Sequence, residues 1–330
     1  MPLLRIPKSH TGRSLLRVFF SLITCAAYKF KILIGMHAQS MQMGIKLKKS
    51  KWKERVIFLF IGVTVSIICL PILMVILGSF KSGYELRSAL APIIWNQDRY
   101  MKWYILPAYP TMTHYIKLLF RTPQFFVVFW NSFGMVTAIL SGQIIIAIPA
   151  AWAFARFDFR GKKLLFAGYI VLMMMPFQVT MLPNYLVLDA LHLMNTSWAV
   201  ILPGIFSAFP VFLIYKGFAQ IPDALIEAAK IDGADEIVIF TRIGIPLGAA
   251  GILSALVLGY LEYWNLVEQP LAFLQDKEKW PLSLYLPDIG LDSAGIALAA
   301  SVIMLIPAML VFLMGQDYLE KGIVASAIKE

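Results

Sequence analysis

Residues 221–246 form the polar segment of the sequence whose residue types most favour binding to another protein. Glu227 carries a charge, and Ala228 and Ala229 follow it directly, so a helix through them would have a thin face beside one carboxylate. A thin face lets a second protein approach closely, and the carboxylate could pair with a basic group there. An ordinary amphipathic connection between two helices explains the same residues, so local physical chemistry leaves both interpretations open.

Local signals also predict how this segment folds. Pro222 suits the first turn of a helix, and Asp223 complements the positive end of the helix dipole. Gly233 permits the left-handed turn that ends this helix. We expect a second short helix from residue 234 to about residue 242 and a membrane-spanning helix that begins at Pro246.

Elsewhere the sequence offers no constellation for catalysis. The four histidines and two cysteines lack the spacing of a metal site, so we expect no metal. The Gly-x-x-x-x-Gly-Lys-Ser/Thr loop that binds nucleotide phosphates is absent, and Gly161-Lys162-Lys163 has neither its spacing nor its hydroxyl. We therefore expect no catalytic residue and no cofactor on this chain, so the energy of ATP would have to come from another polypeptide.

The composition places these residues in a membrane protein. The chain has 330 residues, of which 59% are hydrophobic and 15% charged, whereas soluble domains carry about 25% charged residues. Its mean hydropathy is +0.74. The net charge of +10 does not indicate nucleic acid, because the basic residues cluster at the ends of apolar runs, where they fix membrane orientation. We predict an all-α polytopic membrane protein. Its surroundings are membrane lipid, and we expect no nucleic acid among its partners.

Six apolar runs reach the length of about 20 residues that crosses a bilayer. They are Val56–Phe80, Phe125–Phe154, Leu164–Leu188, Leu193–Tyr215, Ile243–Leu261 and Ser293–Gly315. If the N-terminus lies inside, the inside segments hold 21 of the 29 Lys and Arg residues, as the positive-inside rule requires. We predict that both termini are cytoplasmic and that the long loops at 81–124 and 262–292 face outward.

The chain divides into a basic N-terminal extension, residues 1–54, and a transmembrane domain, residues 55–330, with a cytoplasmic loop at 217–246. Leu15–Ala27 is apolar but too short to span a bilayer. The extension is predicted to be disordered or to form a helix on the membrane surface. A signal peptide is disfavoured because no small-residue cleavage site clearly follows. Translation from Met41 or Met43 is a further alternative.

The spacing in the 221–246 segment resembles the EAA loop of ABC importer permeases. The matching residues are Glu227, Ala228, Ala229, Asp232, Gly233, Ala234, Phe240, Ile243 and Pro246. Other tracts resemble the second, maltose-type permease of carbohydrate importers, among them Asn131-Ser132-Phe133, Ala151 to Arg156 and Trp264-Asn265. Ile245 stands where the family has leucine, and Ala250 where it often has a second proline, so the fifth span is expected to start with less kink.

This resemblance implies a type I ABC importer fold and a set of partners. Those are a cytoplasmic ATPase dimer carrying ATP and Mg, a second permease subunit, and an extracytoplasmic solute-binding protein. It implies a bacterial or archaeal cytoplasmic membrane. Glu227 would pair with a basic group of the ATPase, Ala228 and Ala229 would allow close packing, and Gly233 would form the turn between the two helices.

A sugar or polyol would need a polar path through the membrane. The candidates for this path are Asn131, Gln178, Glu262 and Asn265. Bridging between helices is the usual role of uncharged polar residues in spans, and Gln143 is a further residue of this kind. Glu262 is also compatible with an interfacial position.

Two other functions fit less well. A non-sugar solute would use the same machine, because an external binding protein selects the solute. An ion-coupled secondary transporter would be expected to carry ionisable residues at membrane depth, and the predicted spans carry no chain of them.

Overall fold

The structure, a computed structural model, describes residues 51–94, 104–285 and 293–327. The predicted N-terminal extension up to residue 50 lies outside the described residues. Within the described ranges the chain is helical and contains no strand, as the sequence predicted. The helices are α1 Lys51–Ser79, α2 Gly83–Ile94, α3 Thr113–Arg121, α4 Pro123–Arg156, α5 Lys162–Met174, α6 Phe177–Ala190, α7 Trp198–Ile205, α8 Ala208–Phe218, α9 Asp223–Ile231, α10 Glu236–Ile239, α11 Ile245–Trp264, α12 Glu268–Phe273 and α13 Ala294–Ala327.

Five segments of the described chain are long and apolar enough to cross a membrane, and a bent helix pair brings the number to six. The five are Phe58–Ser79, Pro123–Arg156, Trp198–Phe218, Glu236–Trp264 and Ala294–Glu320. The six predicted spans are therefore present, although three of them differ from the predicted continuous form or bounds.

The predicted third span is not one helix. Its two halves, α5 and α6, meet at an angle of 105°. The break follows from Pro176, which caps α6 and forces Met175 out of the helical region, at ψ 126°. With this bend, residues 162–190 cannot cross the membrane as one straight helix.

The predicted fourth span begins later than residue 193 and contains a break. Asn195 adopts a left-handed conformation with φ 56°, so the helix begins at Trp198. The chain breaks again between α7 and α8, where Pro210 has no N–H for the carbonyl of Phe206. The Gly204 carbonyl near this break accepts hydrogen bonds from Gln143 Nε2 at 2.7 Å and Tyr263 Oη at 3.2 Å. Gln143 thus bridges helices.

The fifth span begins earlier than predicted. α10 passes through a π-helical turn at Phe240–Gly244 directly into α11. The second short helix therefore does not end at residue 242, and Pro246 lies inside a continuous helix rather than at the start of one. The widened turn receives the proline ring, which would clash with the carbonyl of Arg242 in a regular helix. The reduced kink expected from Ala250 stays a prediction.

α4 runs between two buried clusters and joins them. Near its Pro123 end, Phe125 and Val128 pack with Trp264 and Leu282. Near its Arg156 end, a second cluster is built on the ring of Trp152. With 34 residues α4 extends about 50 Å, so one continuous helix, with Pro149 inside it, links both ends of the bundle.

Candidate partner-docking site

α9 ends in a hydrogen-bonded glycine turn. Gly233 has φ 79°; its N–H bonds the Lys230 carbonyl at 3.1 Å, and the Ala234 N–H bonds the Ala229 carbonyl at 2.9 Å. This pair of bonds is the Schellman arrangement, which satisfies the last carbonyls of a helix. The left-handed turn predicted at Gly233 is confirmed. Since a Cβ at φ 79° is strained, glycine suits this corner best.

The two faces of α9 differ in burial. Ile226 and Ala229 are buried in the cluster around Trp152. Glu227 and Ala228 are exposed, and Ile231 at the end of the helix is 85% exposed. The small-residue face therefore divides, because Ala228 points outward while Ala229 holds the helix on the body of the chain.

The other residues of the predicted site occupy three environments. Asp232 and Pro246 are exposed. Ala234 and Ile243 are half-buried against the Trp152 cluster. The Phe240 ring lies 5.5 Å from the Trp152 ring. All belong to one segment, but only its exposed members are accessible to another protein.

Arg156, at the end of α4, holds this segment, and the sequence analysis placed it only in a family tract. Its Nη1 donates to Asp223 Oδ1 at 2.5 Å, and its Nη2 donates to the Phe218 and Ile221 carbonyls at 2.8 and 2.5 Å. Its side chain is 10% exposed, and its Nε has no hydrogen-bond partner among the residues that the structure describes. In a sequence, a basic residue at the end of a span is interpreted as a signal of membrane orientation. No local pattern therefore indicates the contacts that Arg156 makes.

A polar cavity of about 190 Å³ lies between the end of α4 and α9. It is lined by Trp152, Arg156, Phe157, Asp223, Ile226, Glu227, Lys230 and Glu236. Lys230 Nζ bonds Glu236 Oε1 at 2.7 Å across the α9–α10 turn. A carboxylate of this cavity, Glu227, lies on the exposed face of α9, where a basic side chain of a partner could reach it.

The four candidate path residues have separate neighbours. Asn131 Nδ2 donates to the Glu278 and Trp280 carbonyls at 2.6 and 3.2 Å, so its amide holds a loop. Gln178 Nε2 lies 3.4 Å from Glu268 Oε2.

The remaining two lie around the end of α11. Asn265 Nδ2 donates to the Leu261 carbonyl at 2.8 Å, and Glu262 is exposed. Among the described residues, no three His, Cys, Asp or Glu side chains are grouped closely enough to hold a metal.

Several known proteins are similar to this chain. The sequence profile described as "Binding-protein-dependent transport system inner membrane component" matches residues 143–325. Protein LplC of Bacillus subtilis (strain 168) is 30% identical, over 82% of this chain and 92% of its own. The arabinooligosaccharides transport system permease protein AraQ of Halalkalibacterium halodurans is 28% identical, over 78% and 90%.

A more distant relative and a solved structure extend the similarity. The sn-glycerol-3-phosphate transport system permease protein UgpE of Pectobacterium atrosepticum is 30% identical, over 62% of this chain and 75% of its own. A bacterial ABC transporter involved in the import of the acidic polysaccharide alginate has a chain with the same fold. Its TM-score is 0.67 at 20% identity, over 81% of this chain and 96% of that one.

Proposed function

The chain belongs to the inner membrane components of binding-protein-dependent transport systems, and from this premise we propose that it is the permease subunit of an ATP-driven importer for a sugar or polyol. The observation that carries the proposal is the exposed face of α9. There the carboxylate of Glu227 and the small side chain of Ala228 are accessible, while the helix itself is fixed to the membrane domain by its buried face.

The partner on this face is a cytoplasmic ATPase dimer, which binds ATP and Mg, while this chain binds neither. Apolar side chains of the same segment are also exposed, namely Leu225, Ile231 and Ile237. A helix with an apolar surface and one charge suits a groove on another protein. Closure of the ATPase dimer would then move α9, and the bundle would switch between inward-open and outward-open states.

A sugar or polyol is the solute that the relatives favour. Two are named for arabinooligosaccharides and sn-glycerol-3-phosphate, and the structurally similar transporter imports alginate. All three solutes are sugars or a polyol derivative and carry at least two hydroxyl groups. The alternative is the same machine with a non-sugar solute; an ion-coupled secondary transporter is the less favoured reading, because it would have no use for the face of α9.

The proposed assembly has two further protein partners. A second permease subunit would complete the path, and an extracytoplasmic binding protein would deliver the solute. Gln178, Glu262 and Asn265 are the proposed path residues of this chain, whereas the Asn131 amide is occupied by two loop carbonyls. The proposed orientation places both termini and residues 217–246 in the cytoplasm. A reporter fused after Gln220 should therefore read cytoplasmic, and an extracytoplasmic signal would overturn the orientation.

The test is a mild-detergent pull-down on the tagged full chain, with mass spectrometry of the proteins recovered. We expect an ATPase subunit with a phosphate-binding loop and a second permease. Glu227→Lys reverses the charge on the exposed face, and Gly233→Asp forces a side chain into the left-handed turn, so either should abolish recovery of the ATPase.

Asp158→Lys is the matched control, because it reverses a fully exposed charge in the loop after α4 and outside residues 217–246. It should retain the ATPase. Recovery of the wild-type chain alone, or as a self-oligomer, would contradict the proposal. If all variants recovered the ATPase equally, α9 would not be part of the docking site.

A further inference from the structure

We propose that Trp152 and Arg156 are positioning residues that make α4 and both limbs of the 217–246 segment move as one body. This inference rests on the proposed function, since it concerns how a displacement of α9 reaches the membrane domain. The two residues are four positions apart and so lie on one face of α4. We call them the Trp152–Arg156 clamp.

Arg156 holds the first limb, which runs from the end of α8 to the start of α9. Its guanidinium bonds the carbonyls of Phe218 and Ile221 and the carboxylate of Asp223. Carbonyls at a helix end lack partners within the helix, and hydrogen bonds from a charged donor are stronger than neutral ones. Three bonds in three directions fix this limb in position and in orientation.

Trp152 holds the second limb, which enters the membrane through the π-helical turn. Its ring packs edge-on against Phe218, with the ring centroids 5.2 Å apart, and at a tilt of 52° against Phe240, with the centroids 5.5 Å apart. A Cβ at Gly244 would lie 2.6 Å from the ring, so only glycine lets the π-turn approach it. The Arg156 guanidinium lies 5.7 Å from the centroid of the same ring, which joins the two halves of the clamp.

The clamp is suited to transmit movement because Trp152 is buried and Arg156 is mostly shielded from solvent. Trp152 is 4% exposed and the Arg156 side chain 10%, so water competes little for their contacts. Packed interiors resist deformation and shift as units. α4 continues for about 50 Å, and at its other end Asn131 and Ser132 bond the segment at 278–282. A displacement of α9 is thus delivered to α4 and carried to the opposite end of the bundle.

Spin labels can test whether α9 and α4 move together. The labels are placed through Ala224→Cys on α9 and Gln124→Cys at the far end of α4, both exposed, after Cys25→Ser and Cys69→Ser. Pulsed electron resonance gives the distance distribution in the purified chain and in the ATPase complex, with and without a non-hydrolysable ATP analogue. We expect one narrow peak that does not change with nucleotide.

Arg156→Gln and Arg156→Lys remove the guanidinium that bonds three acceptors. In both variants the distance distribution should no longer show a single narrow peak. In the complex their distance should also become dependent on nucleotide. Lys162→Gln is the matched control, because it removes a nearby basic residue whose partner, Asp158, is fully exposed. It should behave as the wild type. Unfolding temperatures are measured in parallel on every variant.

A purely stabilising role for Arg156 would lower the unfolding temperature but leave the distance independent of nucleotide, and that outcome would overturn the proposal. A narrow peak in both Arg156 variants would do so too, as would a wild-type distance that changes with nucleotide. If the ATPase fails to copurify with the wild type, the proposed function fails instead. The width of the distribution in the purified chain still tests the clamp in that case.

Discussion

The two ends of α4 both hold a distant segment of the chain, but with different chemistry. At the Arg156 end a charged guanidinium holds residues 62 to 67 positions away, and the buried Trp152 ring packs beside it against Phe218 and Phe240. At the Pro123 end a neutral amide and a hydroxyl hold residues 147 to 150 positions away, and the buried Phe125 ring packs beside them against Tyr285. Both attachments therefore include a buried ring, but only the first includes a charge.

This difference suggests a division of labour along one helix. A charged guanidinium beside a buried ring suits an attachment that transmits movement. Breaking its hydrogen bonds and its packing contacts would cost much free energy. Neutral hydrogen bonds to backbone suit a loop that must keep its shape. The experiments below weaken each attachment in turn, so that the two ends of α4 can be compared.

The largest effect is expected from Trp152→Ala at the Arg156 end. The side chain is buried against Phe218 and Phe240, and removing a buried Trp costs about 3–5 kcal/mol. Thermal unfolding in detergent should show a strongly lowered midpoint, and trypsin should cut faster at Lys230. Trp130→Ala on the same helix is the control, since that ring is 61% exposed. Equal destabilisation by the two variants would refute the special role of the Arg156 end.

Ser132→Ala should have the largest effect at the Pro123 end. The Leu282 N–H donates to Ser132 Oγ at 2.6 Å in a buried position, and an unpaired buried donor costs about 1–3 kcal/mol. Hydrogen exchange at residues 281–285 should accelerate and the unfolding midpoint should fall.

The neighbouring residue provides the comparison for that variant. Asn131→Ala also removes hydrogen bonds to this loop, but one of them is exposed and the other only partly buried. Its cost should be about 1 kcal/mol or less. A larger loss for Asn131→Ala than for Ser132→Ala would mean that burial does not decide the strength of this attachment.

The features that the sequence predicted well are local ones. Apolar runs of sufficient length predicted the spans, because a bilayer imposes a length on any helix that crosses it. Gly233 predicted its turn, since a left-handed residue at a helix end is strongly specified. The third span was predicted as one run, Leu164–Leu188, and the size of its bend, 105°, depends on how its two halves pack.

The features that were missed depend on long-range contacts. The solute-path role of Asn131 stays a prediction, but its hydrogen bonds to loop carbonyls far along the chain were not foreseen, because a polar residue in a span carries no sign of its partner. Arg156 resembled an orientation signal for the same reason. The second helix of the docking segment was ended too early, because Pro246 usually interrupts a helix and here a π-turn receives it.

A smaller effect is expected at Asn195, which also supports the loop at the Pro123 end. Its Oδ1 accepts the N–H groups of Gln275 and Asp276 at 3.1 and 3.0 Å, and its φ is 56°. Asn195→Ala loses both bonds and adds left-handed strain, for a total of about 1–2 kcal/mol. Asn195→Gly loses the bonds without the strain, so its unfolding midpoint should lie between those of Ala and wild type. The reverse order would contradict the left-handed conformation.

Acidification should weaken the region around α3. Burial lowers the pKa of His114, a hydrogen bond from Nε2 to the Lys81 carbonyl partly opposes this, and the charge of Lys117 lowers the pKa further. The unfolded chain therefore takes up this proton at a higher pH than the folded one. The contribution to stability is complete above an unfolded pKa of about 6.5 and declines as the pH falls below it.

The pH effect of this residue can be isolated with His114→Gln, whose amide can still donate to the Lys81 carbonyl. Unfolding midpoints measured from pH 8 to pH 5 should fall more steeply for the wild type than for this variant. Parallel curves would show that His114 titrates alike in the folded and unfolded chain.

The smallest effect is expected from Asp223→Asn, which sharpens the account of the Arg156 end. Although the bond from Arg156 is only 2.5 Å long, the Asp223 side chain is 84% exposed, and exposed ion pairs contribute about 0–1 kcal/mol. The two partly buried carbonyl bonds and the Trp152 ring remain in this variant. The unfolding midpoint and the spin-label distance should therefore stay close to wild type, while Arg156→Gln changes both. If Asp223→Asn instead matched Arg156→Gln, the ion pair, and not the carbonyls and the ring, would hold the first limb.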